Sequence, residues 1–266
     1  MNFKGANNKK PLLIDFYEHF DEDGRLLTRH GNVEFTVTCK YIYDYLNNDK
    51  SKRILDIGAG TGRYSIKLHN DGYIVEAVEL VEKNVEIMRN NCEGINAHVG
   101  NACNLSRFKD ETFDLVLLFG PMYHLFTTED RIKALNEAKR VCKKDGYIFV
   151  AYYMNDYAVI NYGFLRGHIK ECIEDGTVDS NYHYQPKEGD LFSFVRIEDI
   201  DKLNKGCNLK REKIVACDGI ANLLRVELNK MTEDVYNEFV KYNLSIAERQ
   251  DLIGISTHTL DIVRKN

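Results

Sequence analysis

The run Arg53-Ile54-Leu55-Asp56-Ile57-Gly58-Ala59-Gly60-Thr61-Gly62-Arg63-Tyr64-Ser65 constrains this chain more than any other stretch. It opens as an apolar segment too short for a helix, breaks into three glycines at alternate positions, and resumes with helical spacing. Strand, tight turn and helix start, in that order, present bare backbone N–H groups to a ligand. Glycines serve there because the turn takes up angles a Cβ resists and lets a ligand approach the main chain.

Two cofactor classes use such a turn. The dinucleotide fingerprint spaces its glycines G-x-G-x-x-G; here the spacing is G-x-G-x-G, and Arg63 stands where the last glycine of that fingerprint would fall. The acidic residue comes first, as Asp56. D-I-G-A-G-T-G resembles the first motif of the class I S-adenosylmethionine-dependent methyltransferases, E/D-x-G-x-G-x-G. That resemblance implies that Asp56, Gly58, Ala59, Gly60 and Gly62 hold the cofactor.

Composition narrows the setting. No apolar run approaches the roughly 20 residues that span a bilayer, and Met1 to Lys10 lacks the apolar core of a signal peptide. Seven cysteines without a C-x-x-C pair fit scattered thiols in a reducing compartment, not a disulfide frame or zinc site. A net charge of −5 offers no attraction to nucleic acid. These features predict a cytoplasmic enzyme of small molecules, with no membrane or nucleic-acid partner and no metal; they leave the oligomeric state open.

Ahead of the glycine turn, residues 12–20 are aromatic and acidic, Asp23-Gly24 marks a turn, and Val33, Val37, Tyr41 and Tyr45 predict a helix. In the resembled family such a leading segment (1–50 here) packs over the cofactor cleft as a lid, which implies that Arg29 meets the cofactor's carboxylate.

After the turn, a second apolar strand ends at Glu79, 23 residues past Asp56, where a carboxylate accepts hydrogen bonds from ribose hydroxyls. Val81, Val85, Met88 and Cys92 form a core stripe on the next helix. The resemblance places an adenine contact at Asn101, with the following backbone N–H, that of Ala102, bonding the ring; an Asn closing a turn is the rival reading. It also adds Leu80 and Phe119 to the cofactor set.

The apolar run Phe113 to Phe119 predicts a central strand buried on both faces. Gly120-Pro121-Met122-Tyr123-His124 follows at its C-terminal end, where open α/β sheets dock ligands. The resembled family keeps its substrate-facing residues here. Its amino-group branch carries N/D-P-P-Y, and Gly120 in place of the Asn or Asp argues against nucleobase or glutamine amines as acceptors. Tyr123 is a candidate substrate contact. His124, with an ordinary pKa near 6.5, is a candidate general base, against the plainer reading of a capping or core histidine.

A helix from Thr127, capped through Asp130, leads by Asp145-Gly146 into a fifth strand. R-V-C-K-K-D-G-Y-I-F-V-A resembles the family's late helix–turn–strand motif. Lys139, Arg140, Lys143 and Lys144 cluster at that helix's end, as its dipole favours. Residues 154–195 break the alternation and are rich in tyrosine; they read as an inserted cap whose rings either face an amphipathic substrate or form the cap's own core. A helix from Ile197 to Gly206 and a strand from Glu212 to Cys217 follow. Two helical stretches come next, Asn222 to Met231 and Thr232 to Leu244, the second with Val235 and Phe239 on one face, and then an alternating strand from Thr257 to Arg264. His258 shares a face with Leu260 and Ile262 there, which assigns it a structural role.

The whole predicts an α/β fold, a Rossmann-like doubly wound, seven-stranded, mostly parallel sheet in the order 3-2-1-4-5-7-6. Residues 1–50 form an N-terminal helical segment, and 51–266 the core with its inserted cap. The implied reaction is methyl transfer from S-adenosylmethionine to a small-molecule acceptor by in-line displacement, leaving S-adenosylhomocysteine. An RNA or protein methyltransferase and a non-catalytic cofactor-binding regulator are the alternatives. A dehydrogenase is disfavoured by Arg63 and by the lack of a second dinucleotide-binding half.

Overall fold

Short apolar runs between glycine turns become strands: β1 is Arg53–Ile57, β2 Ile74–Glu79, β3 Asn96–Val99, β4 Phe113–Leu118, β5 Cys142–Tyr153, β6 Leu209–Ala216 and β7 His258–Lys265. The computed structural model describes residues 13–16, 28–187 and 189–265. The strands form one sheet in the order β3-β2-β1-β4-β5-β7-β6, the order that the family resemblance implies. The first five pair in parallel, while β7 runs antiparallel to both β5 and β6.

Helices cover both faces. On one lie α1 (Arg29–Leu46) and the later α8 (Arg225–Leu228) and α9 (Glu233–Ile246); their Val33, Val37, Leu228 and Tyr236 pack on Ile54, Leu115, Leu117, Phe149, Leu260 and Ile262. On the other, α4 (Thr128–Val141) and α7 (Ile197–Gly206) send Leu135, Ala138, Ile200 and Leu203 against Leu55, Val116, Leu118 and Val263. Successive residues of β4 thus meet different layers, which is why its sequence is continuously apolar. Val85, Met88 and Cys92 of α3 (Glu82–Asn91) form a third cluster with Ala77 and Ala97. The α2 helix, Arg63–Asn70, leaves the glycine turn with Gly62 as its cap.

Three local expectations change. The turn at Asp145-Gly146 is a bulge within a longer β5: Cys142 pairs with Phe113, and the register shifts before Tyr147 meets Leu115. Helix dipoles do not explain the basic cluster as a whole. Lys139 donates to the Cys207 carbonyl at 2.6 Å, Lys143 reaches Asp114 at 2.8 Å, and Arg140 spans Glu137, Asp110 and two carbonyls. In α9 the buried face carries Tyr236 and Asn243 with Phe239 and Val240 against the core, while Val235 is exposed.

Thr28 caps α1 by accepting the Gly31 N–H at 3.2 Å. Of the leading segment, residues 13–16 are helical, with the Phe16 ring edge-on to Phe192 at 5.7 Å. The Asp23-Gly24 turn and the rest of 1–27 lie outside the described residues. Between β5 and α7 the chain forms α5 (Asn155–Ala158), a π turn at Val159–Leu165 and α6 (Ile169–Glu174).

Candidate functional site

A cavity of about 470 Å³ opens at the C-terminal ends of β1, β2 and β4. Most of the residues singled out by sequence meet in it: Asp56, Gly58, Ala59, Gly60, Glu79, Leu80, Asn101, Ala102, Phe119, Tyr123 and His124 all line its wall. Gly62 and Arg29 do not.

The glycine turn works differently from the expected cradle of bare N–H groups. The Gly58 and Ala59 N–H groups both donate to the Val78 carbonyl, at 2.8 and 3.2 Å, and Gly60 N–H donates to Glu79 Oε2 at 3.0 Å. Pairing between β1 and β2 simply continues into the turn and consumes the donors. What the glycines supply is room. A Cβ on Gly58 would stand 2.5 Å from Pro121, whereas at Gly60, with φ +57°, it would enter open space on the cavity side. Gly62 is needed for packing against Met88, and its role lies in the core beneath the site.

Asp56 is buried. Its Oδ2 accepts the Ser65 hydroxyl at 2.6 Å, and its Oδ1 has no hydrogen-bond partner. Burial pushes its pKa up to about 7, against the Ser65 bond and with the Glu79 charge adding to the rise. Because the folded value exceeds the unfolded one, its contribution to stability is full below about pH 4 and lost as pH rises through about 7. An orphaned acceptor of this kind fits a ligand ammonium such as that of a methionine moiety. S-adenosylhomocysteine binding is therefore expected to release close to one proton at about pH 6 and none above about pH 8. Calorimetry in buffers of different ionisation enthalpy reads this directly, and a buffer-independent heat at pH 6 would remove that contact.

Glu79 closes the end of β2. Its Oε1 accepts the Val81 N–H at 2.9 Å and its Oε2 that of Gly60, so it braces the turn as well as facing the cavity. Burial raises its pKa, offset by those backbone donors. Glu79→Ala is expected to weaken S-adenosylhomocysteine binding by about 1–3 kcal/mol; unchanged affinity in a titration would move the ribose contact elsewhere. Asn101 accepts the Cys103 N–H at 2.9 Å, the turn-closing role that rivalled an adenine contact.

Arg29 departs from expectation. Its guanidinium donates to the Leu228 and Met231 carbonyls at 2.7 and 2.6 Å, pairs with Glu233 at 3.1 Å and lies over the Tyr236 ring. Carbonyls at a helix end lack intrahelical donors and attract a cation. Arg29 ties α1 to the α8–α9 connection and does not face the cavity.

Rings line much of the cavity wall: those of Tyr64, Phe119, Tyr123, His124 and His258. Tyr123 stacks on Tyr153 at 4.0 Å, and Tyr153 meets the His258 ring at 4.5 Å. His124 Nδ1 lies 2.8 Å from the Leu191 carbonyl, an acceptor, so that nitrogen carries the proton. Burial lowers its pKa to about 4, opposed by that bond, which leaves a neutral ring and a poor base. Of the segment between β5 and α7, Asp190 and Leu191 line the cavity. Tyr157 and Tyr184 are buried in that segment's own packing, and Tyr162 and Tyr182 are exposed, so these tyrosines do not line the cavity.

Sequence reasoning missed Glu34, Thr38, Tyr64 and His258. Glu34 and Thr38 sit on α1 at helical spacing with the buried Tyr41, a polar pair on an inward face that was a readable signal.

Residues 55–150 match a family described as a methyltransferase domain. Glycine/sarcosine N-methyltransferase of Aphanothece halophytica is 29% identical over 185 residues, covering 64% of this chain and 68% of that protein. Probable tRNA methyltransferase 9B of Homo sapiens is 36% identical over 97 residues, 36% of this chain and 20% of the human protein. Among solved structures, an S-adenosylmethionine-dependent methyltransferase of Thermotoga maritima, described as a possible histamine N-methyltransferase, superposes with a TM-score of 0.59. The two are 22% identical, over 94% of this chain and 98% of that one. Motif, strand order and family match converge: residues 55–150 carry a methyltransferase domain, set in a sheet of the class I S-adenosylmethionine-dependent order.

Proposed function

We propose that the acceptor is a small molecule, methylated by direct in-line displacement. The observation that carries this reading is a single bounded cavity of about 470 Å³ lined by the glycine turn and by aromatic rings, a volume suited to small ligands. Bound S-adenosylmethionine supplies a methyl carbon made electrophilic by its sulfonium sulfur. Asp56, Gly60, Glu79, Leu80, Asn101, Ala102 and Phe119 are the groups that would hold it. Tyr64, Tyr123 and the neutral His124 orient the acceptor and exclude water, which is the main work such a reaction asks of a protein.

The likeness to a tRNA methyltransferase favours a second reading, RNA as acceptor. That likeness spans less than half of this chain, the net charge is −5, and the side chains of Lys139, Arg140 and Lys143 are engaged by the protein itself. Those three side chains are not free to displace counterions from phosphate. The test is release of S-adenosylhomocysteine in the presence of small amines, phenols and carboxylic acids, with bulk tRNA as the competing acceptor. Turnover with small molecules supports the reading, and turnover with tRNA alone overturns it.

A further inference from the structure

Opposite the glycine turn stands a group of ionisable side chains that the cofactor does not need. His258 is the first residue of β7. Because β7 is antiparallel, that end lies beside Tyr153, the last residue of β5, at the ligand-binding edge of the sheet. His258 is buried and lines the cavity. Its Nδ1 lies 3.1 Å from Asp218 Oδ2 and 3.3 Å from Glu34 Oε2, and its Nε2 has no hydrogen-bond partner.

Asp218 is built to hold that ring. It lies just beyond β6, wholly buried, and its Oδ1 accepts the His258 backbone N–H at 3.0 Å and the Ser256 hydroxyl at 2.7 Å. Burial raises its carboxyl, but the bonds and the charge of a protonated His258, with the Ser256 bond, outweigh that and leave it below the usual carboxylate range. With carboxylates on the Nδ1 side, the proton of a neutral ring resides on Nδ1, and Nε2 presents a lone pair. Glu34 also lines the cavity, so this end pairs two carboxylates with one imidazole beside the rings of Tyr123 and Tyr153. Negative charge against aromatic rings is a setting for a cation, and it repels a carboxylate.

We propose that His258 is the proton acceptor for an ammonium-bearing acceptor molecule, with Asp218 and Glu34 holding its Nδ1–H. The proposal rests on reading the cavity as a methyl-transfer site for a small molecule. An ammonium nitrogen has no lone pair, so it must first lose a proton, and His258 Nε2 takes it to give an imidazolium. The amine's lone pair then forms the N–C bond to the methyl carbon as the C–S bond breaks and its electron pair stays on sulfur. The products are an N-methylammonium and a neutral thioether, and His258 returns its proton to solvent. Base catalysis is thereby assigned away from His124, whose burial makes it a poor base. Glu34, Asp218 and His258 also place three ligand atoms within 4.8 Å of one another, but an Nδ1 proton accounts for those distances without an ion.

The test uses the full chain with S-adenosylmethionine and a series of amines from methylamine to benzylamine, each matched in size by a phenol and a carboxylic acid. Amines are expected to be methylated and their counterparts not. His258→Ala is expected to lower kcat at pH 7 by about 10²–10⁴-fold, with S-adenosylhomocysteine affinity unchanged by calorimetry as the control for folding. The defect should shrink as pH rises and the amine loses its proton unaided, a response a packing role would not produce. Other groups facing the ring that titrate are Glu34, Asp218, Cys217, Tyr123 and Tyr153; Asp218→Asn is expected to move the acidic limb of the profile. Nitrogen NMR of the histidines with S-adenosylhomocysteine bound should find His258 protonated at Nδ1. Four results would each overturn the proposal: turnover of phenols or acids alone, an undiminished His258→Ala, a ring protonated at Nε2, or activity removed by a chelator and restored by a divalent metal. If the protein binds S-adenosylhomocysteine yet methylates no class of small acceptor, the underlying reading fails as well.

Discussion

Gly60→Val is expected to abolish measurable binding of S-adenosylhomocysteine, a loss of at least about 100-fold, about 2.7 kcal/mol, while the protein stays folded. A Cβ at this position meets nothing within 4 Å, so the folded chain has space for it. That space is the cavity wall, and a branched side chain there stands where a ligand must touch the main chain. The φ of +57° adds backbone strain, of order 1–3 kcal/mol, which lowers the melting temperature without touching the site. Gly72→Val separates the two effects. Gly72 has φ +89°, also with nothing within 4 Å, and it does not line the cavity. The Gly72 variant should lose stability and keep its affinity. Titration calorimetry with a thermal melt on each variant is sufficient, and Gly60→Val binding like wild type would move the cofactor away from the turn.

Arg211→Met should be the most destabilising of the surface-proximal changes. Asp261, in the middle of β7, is fully buried, held by Asn204 Nδ2 at 2.6 Å and by the Arg211 guanidinium. Removing the arginine leaves a carboxylate in the core with its charge uncompensated, at a cost of about 3–5 kcal/mol. For a domain of this size that lowers Tm by roughly 6–20 °C. Burial already raises the Asp261 pKa, and Arg211 and Asn204 lower it; without Arg211 it rises further. The defect is therefore largest at neutral and alkaline pH and shrinks as acid protonates the carboxyl. The double variant Arg211→Met with Asp261→Leu should regain most of the loss, and a melt of the three proteins checks it.

These two sites mark the boundary of what a sequence displays. The glycine turn and Glu79 are written in short-range spacing, the strand order follows only from the family those motifs resemble, and the structure agrees with both. Asp261 reads as a solvent-side residue of an alternating strand, because alternation reveals a face and not what covers it. Here α7 covers that face through Asn204. His258 does share the face of Leu260 and Ile262, which pack beneath α1. Period-two spacing cannot say what the covering helix presents at each point along a strand; α1 meets His258 with the carboxylate of Glu34, at the cavity wall. Arg29 finds its carbonyls 199 and 202 residues away, and no local pattern encodes such a pairing. Asp218 has no periodic context at all, so its partnership with His258 emerges only when β6 and β7 lie side by side.

The position of β7 between β5 and β6 has a consequence during synthesis. Among the described strands, β7 comes after the other six in sequence, and β6 pairs with β7 alone. As the chain leaves the ribosome, the five parallel strands can assemble while the outer edge of β5 stays bare. Tyr153 and its partner His258 are 105 residues apart, roughly 5–20 s of translation. For that interval the nascent chain carries an open strand edge, the feature that recruits other chains. Variants that delay the docking of β7 are therefore expected to aggregate more during synthesis, even where the finished protein is as stable as its parent.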